Sequence, residues 1–121
     1  MTLIDALIEV ETEGIPPEKK DMAIGDNGNA FGCLQIWDVY MIDAFPLSGL
    51  KGKDCLGNRE LSIKAFHAYM KRYATEKRLG RPVTDEDIAR IHNLGPNGWR
   101  ASGARKKAGD VYWAKVRKHL S

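Results

Sequence analysis

Ala23 to Ile36 reads A-I-G-D-N-G-N-A-F-G-C-L-Q-I, and the rest of the chain is organised around how this stretch turns. Asp26, Asn27 and Gly28 form a tight-turn cluster, because Asp and Asn close local turns through their side chains and Gly accepts positive φ. Ala23-Ile24 precede the cluster and Ala30-Phe31 follow it, with Gly32 just beyond. A polar turn between two short apolar pairs predicts a small β-hairpin that carries Asp26 at its tip.

Upstream, Thr2 followed by Asp5 has the form of a capping box and predicts a helix running to about Glu13. Its apolar residues fall at positions 3, 7 and 10 and at 4 and 8, a stripe of helical period that faces a core. Glu11 continues the second row, since 4, 8 and 11 are spaced i, i+4, i+7, whereas Glu9 and Glu13 point elsewhere. A glutamate held against apolar surface has its charged form disfavoured, so Glu11 is expected to keep a proton to donate. The same spacing also fits a boundary glutamate whose carboxylate reaches back into water.

Gly14, Pro16 and Pro17 end this helix in a loop. Leu34 to Phe45 is apolar almost all round, relieved by Asp38 and Asp43, and predicts a buried central helix stopped by Pro46. Asn58 is a good N-cap for a long helix ending near Leu79, with Leu61, Phe66, Tyr69, Met70 and Tyr73 as core candidates and Gly80 and Pro82 as its stop. Thr84 with Asp87 repeats the capping-box pattern and opens a short helix over Asp85 to His92. Gly95-Pro96-Asn97-Gly98 breaks the chain again, and Asp110 reads as the cap of a last helix carrying Val111, Tyr112, Trp113, Val116 and Leu120. No internal repeat, low-complexity tract or linker interrupts the pattern. The expected fold is mainly α (α+β), about five helices with one β-hairpin, in a single domain over residues 1–121.

With 43% apolar and 29% charged residues, the composition is that of an ordinary globular domain, and no apolar run approaches the ~20 residues of a membrane span. The net charge of +3 is unevenly spread: Met1 to Asp26 holds seven acids against Lys19 and Lys20, while Trp99 to Ser121 holds seven Lys or Arg against Asp110 alone. A basic rear suits an anionic polymer or surface, and equally a solvated helix face. The two cysteines, Cys33 and Cys55, lack metal-ligand spacing; they read as buried free thiols or as one pair in an oxidising compartment.

An acid on a helix end and a second acid on a hairpin suit cleavage of a glycosidic bond. That reaction needs a proton donor for the leaving oxygen and commonly a second carboxylate to stabilise charge or position water. The two must differ in protonation at one pH. Glu11 lies on an apolar stripe, whereas Asp26 sits among Asn27, Gly28 and Asn29, whose amide donors are expected to keep it ionised.

V-E-T-E-G at Val10 to Gly14, G-D-N-G-N-A-F-G-C-L-Q-I at Gly25 to Ile36 and I-H-N-L-G-P-N-G at Ile91 to Gly98, in that order, resemble the lysozyme superfamily. The resemblance is to invertebrate-type lysozymes and small bacterial and phage muramidases (endolysins), and further off to soluble lytic transglycosylases. It implies a lysozyme-like fold with the hairpin beside an active-site cleft. By the same resemblance Glu11 takes the general-acid position and Asp26 that of the second catalytic carboxylate. Gln35 would line the cleft. His92 and Asn93 match the pair that reads the N-acetyl sugar in lytic transglycosylases. Tyr40 is a further cleft candidate or a core residue, and Trp99 stacks on sugar or closes its loop over the core. The dense cysteine framework of invertebrate-type lysozymes is absent, which leaves stability to the core.

The resemblance implies a muramidase acting on peptidoglycan between N-acetylmuramic acid and N-acetylglucosamine. The alternatives are a lytic transglycosylase that uses Glu11 alone and a non-catalytic wall-binding or phage structural module. No cofactor or metal is expected. The expected partners are glycan strands, with the basic C-terminal helix drawn to an anionic wall or membrane; no base-reading motif points to nucleic acid, and a monomer is expected. The first ten residues lack a basic n-region and do not read as a secretory signal. Synthesis in a bacterial or phage-infected cytoplasm, with action on the periplasmic or extracellular wall, is therefore the expected setting.

Overall fold

The computed structural model describes residues 1–120 and contains six α-helices and one small sheet among them. The helices are α1 (Leu3–Glu11), α2 (Asp38–Ala44), α3 (Arg59–Tyr73), α4 (Glu76–Leu79), α5 (Asp85–Leu94) and α6 (Gly103–Leu120). The strands β1 (Ile24–Gly25) and β2 (Ala30–Phe31) pair antiparallel, Ile24 with Phe31 and Gly25 with Ala30. The chain gathers into two compact units: Glu11–Tyr69, and Met1–Val10 together with everything from Met70 onward. Mainly helical architecture with one hairpin is what the sequence predicts, and the hairpin lies where it was expected.

In the Glu11–Tyr69 unit, the hairpin turn is a single 3-10 turn over Asp26–Gly28. Asp26, Asn27 and Gly28 take φ of +49°, +57° and +88°, three successive left-handed residues, a conformation that Gly takes freely and that Asp and Asn take at less cost than other residues with a Cβ. The Asn29 amide donates to the Gly25 and Asp26 carbonyl oxygens at 3.1 and 3.2 Å, so this amide closes the turn. After β2 the chain doubles back: Phe31 and Ile36 exchange both backbone hydrogen bonds, at 3.1 and 2.9 Å.

That exchange corrects the expected central helix over Leu34 to Phe45. Gln35 sits at φ +53°, Ile36 is a bridge residue, and the helix begins only at Asp38. Nor is it buried all round, since Val39 and Ile42 are 66% and 59% exposed. An apolar run signals burial but not helical dihedrals, and here its first three residues are consumed by the hairpin. The buried positions of the unit include Leu34, Ile36, Met41, Phe66 and the two thiols, Cys33 and Cys55. Burial pushes Cys33 up to about 11, which makes it an inert packing residue.

Two more boundaries differ. Asn58 caps α3 as expected, its Oδ1 accepting from the Leu61 amide at 3.0 Å. The helix stops at Tyr73 rather than near Leu79, because Thr75 Oγ1 accepts the Arg78 amide at 3.2 Å and starts the separate helix α4. Asp110 is not a cap. It lies inside α6, held by Arg90 Nη2 at 2.6 Å and Lys106 Nζ at 3.2 Å.

In the unit formed by the two chain ends, Thr84 and Asp87 form the predicted capping box at the start of α5. Asp87 also takes a two-pronged ion pair from Arg81, at 2.6 and 2.7 Å. Arg90 bridges Glu86 on its own helix at 2.9 Å and Asp110 on α6. α6 approaches closely there because residue 109 is glycine; a Cβ would lie 2.8 Å from Arg90 Nη1. Ala6, Leu7, Ile91 and Val116 are fully buried in this unit.

At the end of α1, the Lys20 ammonium donates to Thr12 Oγ1 at 2.9 Å and to the Thr12 carbonyl at 3.3 Å. Thr12 is fully buried and Lys20 only 7% exposed. A cation at a helix C-terminus complements the helix dipole and satisfies carbonyls that lack an intrahelical partner.

Two outcomes follow from these contacts. Lys20→Met removes the ammonium donor from the buried Thr12 hydroxyl and carbonyl, the latter keeping the Ile15 amide at 3.0 Å, and should cost about 1–3 kcal/mol in urea denaturation. Asp87 is held below the usual carboxylate range, first by the Arg81 hydrogen bonds. Its contribution is therefore complete above the unfolded carboxyl value of about 4 and is lost as pH falls through the lower folded value. Asp87→Asn should lose about 1–2 kcal/mol at neutral pH, a difference that narrows as pH falls below the unfolded value, measured as parallel denaturation curves at each pH.

Candidate active site

Glu11 is the last residue of α1, half-buried, and is followed directly by the anchored Thr12. Helix period brings it to the end of a stripe that contains Ile4 and Ile8, and the Lys20–Thr12 bonds fix the backbone one residue beyond it. Tyr40, in α2, is 7% exposed. Its ring stacks on Tyr69 with centroids 3.8 Å apart and planes 6° from parallel. Burial raises the phenol well above its usual range, and the neighbouring charges of Tyr69 and then Glu11 push in the same direction. The Glu11 carboxyl therefore lies within electrostatic reach of a phenol that stays neutral. Tyr40 thus packs among the buried residues of its unit.

Asp26 is exposed at the first position of the hairpin turn. Its φ of +49° is a strained conformation for a residue with a Cβ, of the kind that collects at functional sites and costs about 1–3 kcal/mol. The two acids so differ as expected in exposure: one at a half-buried helix end, one on an open turn.

Gln35 has a more specific position than cleft lining. Its Nε2 donates to the Gly32 carbonyl at 2.9 Å and to the Ala23 carbonyl at 3.3 Å, so both amide hydrogens are spent on the two arms of the hairpin. Its Oε1 occupies the space where a side chain on residue 25 would begin, which is why that residue is glycine. Only Oε1 remains to meet a ligand, and the first effect of Gln35 is to hold the element that carries Asp26.

His92, Asn93 and Trp99 belong to the unit formed by the chain ends. His92 is buried and Asn93 exposed on the last turn of α5. Trp99 lies in the 3-10 turn Gly98–Arg100, half-buried. The guanidinium groups of Arg81 and Arg100 lie 5.9 and 5.4 Å from its ring centroid, as cation–π partners do. Its indole nitrogen is buried without an acceptor among the described residues. Glu11, Asp26, Gln35 and Tyr40 are brought into the Glu11–Tyr69 unit. Lys20 joins them there and was not singled out from sequence. No spacing in the sequence signals that the 3-10 turn Pro17–Met22 returns Lys20 to Thr12.

No family model matches the chain. It is 36% identical over 115 residues to an invertebrate-type lysozyme of Ruditapes philippinarum, covering 93% of this chain and 75% of that protein. It is also 36% identical over 90 residues to lysozyme 1 of Crassostrea virginica, covering 74% of this chain and 45% of that longer protein. Among solved structures, the crystal structure of Tapes japonica lysozyme superposes with a TM-score of 0.71 at 30% identity, covering 96% of this chain and 86% of that one. In sequence over nearly its whole length and in fold, then, this chain belongs to the invertebrate-type lysozyme family, a family of glycoside hydrolases.

Proposed function

We propose that the chain is a muramidase that hydrolyses peptidoglycan between N-acetylmuramic acid and N-acetylglucosamine, with Glu11 as general acid and Asp26 as the second carboxylate. The observation that carries the assignment is the contrast between the two acids. Glu11 ends α1 half-buried, near the neutral Tyr40 phenol, and Asp26 stands exposed on a strained turn.

In the proposed reaction the Glu11 carboxyl protonates the leaving glycosidic oxygen as the bond to the anomeric carbon breaks. The Asp26 carboxylate stabilises the oxocarbenium character that develops there or directs a water to it. Water then supplies hydroxide to the anomeric carbon and returns its proton to Glu11, so one water is consumed per bond cleaved. Gln35 acts through the hairpin, by keeping Asp26 at its place. His92 and Asn93 enter the proposal only as sugar-reading residues implied by the family resemblance.

Glu11→Gln should lower turnover of peptidoglycan about 10³-fold, and Asp26→Asn about 10²-fold, with thermal unfolding close to that of the parent in both. Mass spectrometry of digested peptidoglycan should show reducing ends that carry the added water. Anhydro ends would instead identify transglycosylation by Glu11 alone, and a Glu11→Gln variant as fast as the parent would leave a non-catalytic module.

A further inference from the structure

One face of α6 stays open beside α5. Asp110, Trp113, Ala114, Arg117 and Lys118 recur at i, i+3, i+4, i+7 and i+8, and with Arg90 of α5 they line a groove of about 640 Å³. The hollow exists because Ala114, exposed and small, stands between larger neighbours. Its one acid is already matched: Asp110 accepts from Arg90 at 2.6 Å and from Lys106 at 3.2 Å, and Arg90 is further balanced by Glu86 at 2.9 Å. Arg117 and Lys118, both exposed, bring the lining to three basic side chains, with Arg90, against the one acid. Trp113, half-buried, supplies a flat apolar wall against which the carbon-bound hydrogens of a polyol or sugar can pack.

This combination selects among anionic partners. A bilayer is flat and cannot enter a concave groove, and among the described residues Val111 is the only large apolar side chain of α6 that is strongly exposed, at 60%, too little to insert as an amphipathic helix. A flexible polyanion can enter, placing phosphates at the two cations and its carbon backbone along the indole. We propose that this groove is a second binding site, sharing no residue with the Glu11–Asp26 site, for a phosphodiester-linked polyol polymer of the kind attached to bacterial walls. The choice of a wall polymer rests on the wall-cleaving function proposed above; the groove chemistry does not.

The test uses the full chain and oligomeric poly(glycerol phosphate) free of peptidoglycan, with binding followed by calorimetry at fixed ionic strength. The parent should bind. Arg117→Gln with Lys118→Gln should weaken binding about tenfold or more, because two phosphate contacts are lost. Ala114→Phe, which fills the hollow and leaves the charge unchanged, should weaken it comparably. Lys53→Gln with Lys77→Gln, two exposed cations elsewhere, removes the same net charge and should change binding by about twofold at most. Equal losses from the two double variants would reduce the site to diffuse attraction and overturn the proposal. So would full binding by Ala114→Phe, or tighter binding of anionic phospholipid vesicles or single-stranded DNA than of the polyol phosphate. Cleavage of a soluble peptidoglycan oligomer is measured in parallel and should be the same in the parent and in all of these variants. Absence of cleavage in every protein, with the binding ratios as expected, would refute the muramidase assignment and leave the groove supported.

Discussion

The carboxamide of Gln35 is the contact on which the hairpin that carries Asp26 depends. Its two hydrogens join carbonyls on opposite arms, Ala23 and Gly32, and Gly32 in turn donates its own amide to Ala23 at 2.8 Å. Two-residue strands contribute few ladder bonds of their own, and an isolated hairpin is marginal in water. A side-chain amide that ties both arms supplies from one residue what longer strands would supply by pairing. Gln35 is able to do so because it adopts a left-handed φ, which turns its side chain back over Gly25 rather than onward along a helix. The strain at residue 35 and the strain at Asp26 are in this sense one feature: a hairpin this short is held by its turn and by its staple, not by its ladder.

Glu11, the proposed general acid, is held by different means. Glu11 belongs to a regular helix, and what fixes it is the way that helix ends. A buried ammonium is expensive unless its donors are used, and Lys20 uses them on the carbonyl and hydroxyl of the residue after Glu11. Helix termination, the satisfaction of a buried ammonium and the anchoring of the backbone beside Glu11 are therefore the same interaction. In the unit built from the chain ends, arginines fill the corresponding role. Arg81, Arg90 and Arg78 each tie a helix to a neighbouring segment through carboxylates, carbonyls or an amide oxygen. The planar guanidinium suits this work because it donates in several directions at once.

Much of the fold was legible because it is written in local chemistry. The capping boxes at Thr84–Asp87 and the cap at Asn58 connect residues three apart, so the sequence contains both partners side by side. The hairpin turn was legible for the same reason. Leu34 to Phe45 reads as one helix because continuous apolarity marks contact with a core without specifying period; the pairing of Phe31 with Ile36 takes the first residues before a helix can start. Asp110 reads as a cap because a polar residue ahead of an apolar run resembles one, whereas its partner, Arg90, is twenty residues away in sequence.

For the site, composition and periodicity alone were enough to single out Glu11 at the end of an apolar stripe and Asp26 on a tight polar turn, since each depends only on neighbours within a turn or two of chain. Long-range packing alone turned Lys20 inward onto Thr12, assigned the Gln35 amide to the hairpin arms and stacked Tyr40 on Tyr69. Those choices depend on which groups meet across distant stretches of chain, and a buried polar atom takes whichever partner the assembled fold brings within hydrogen-bond reach.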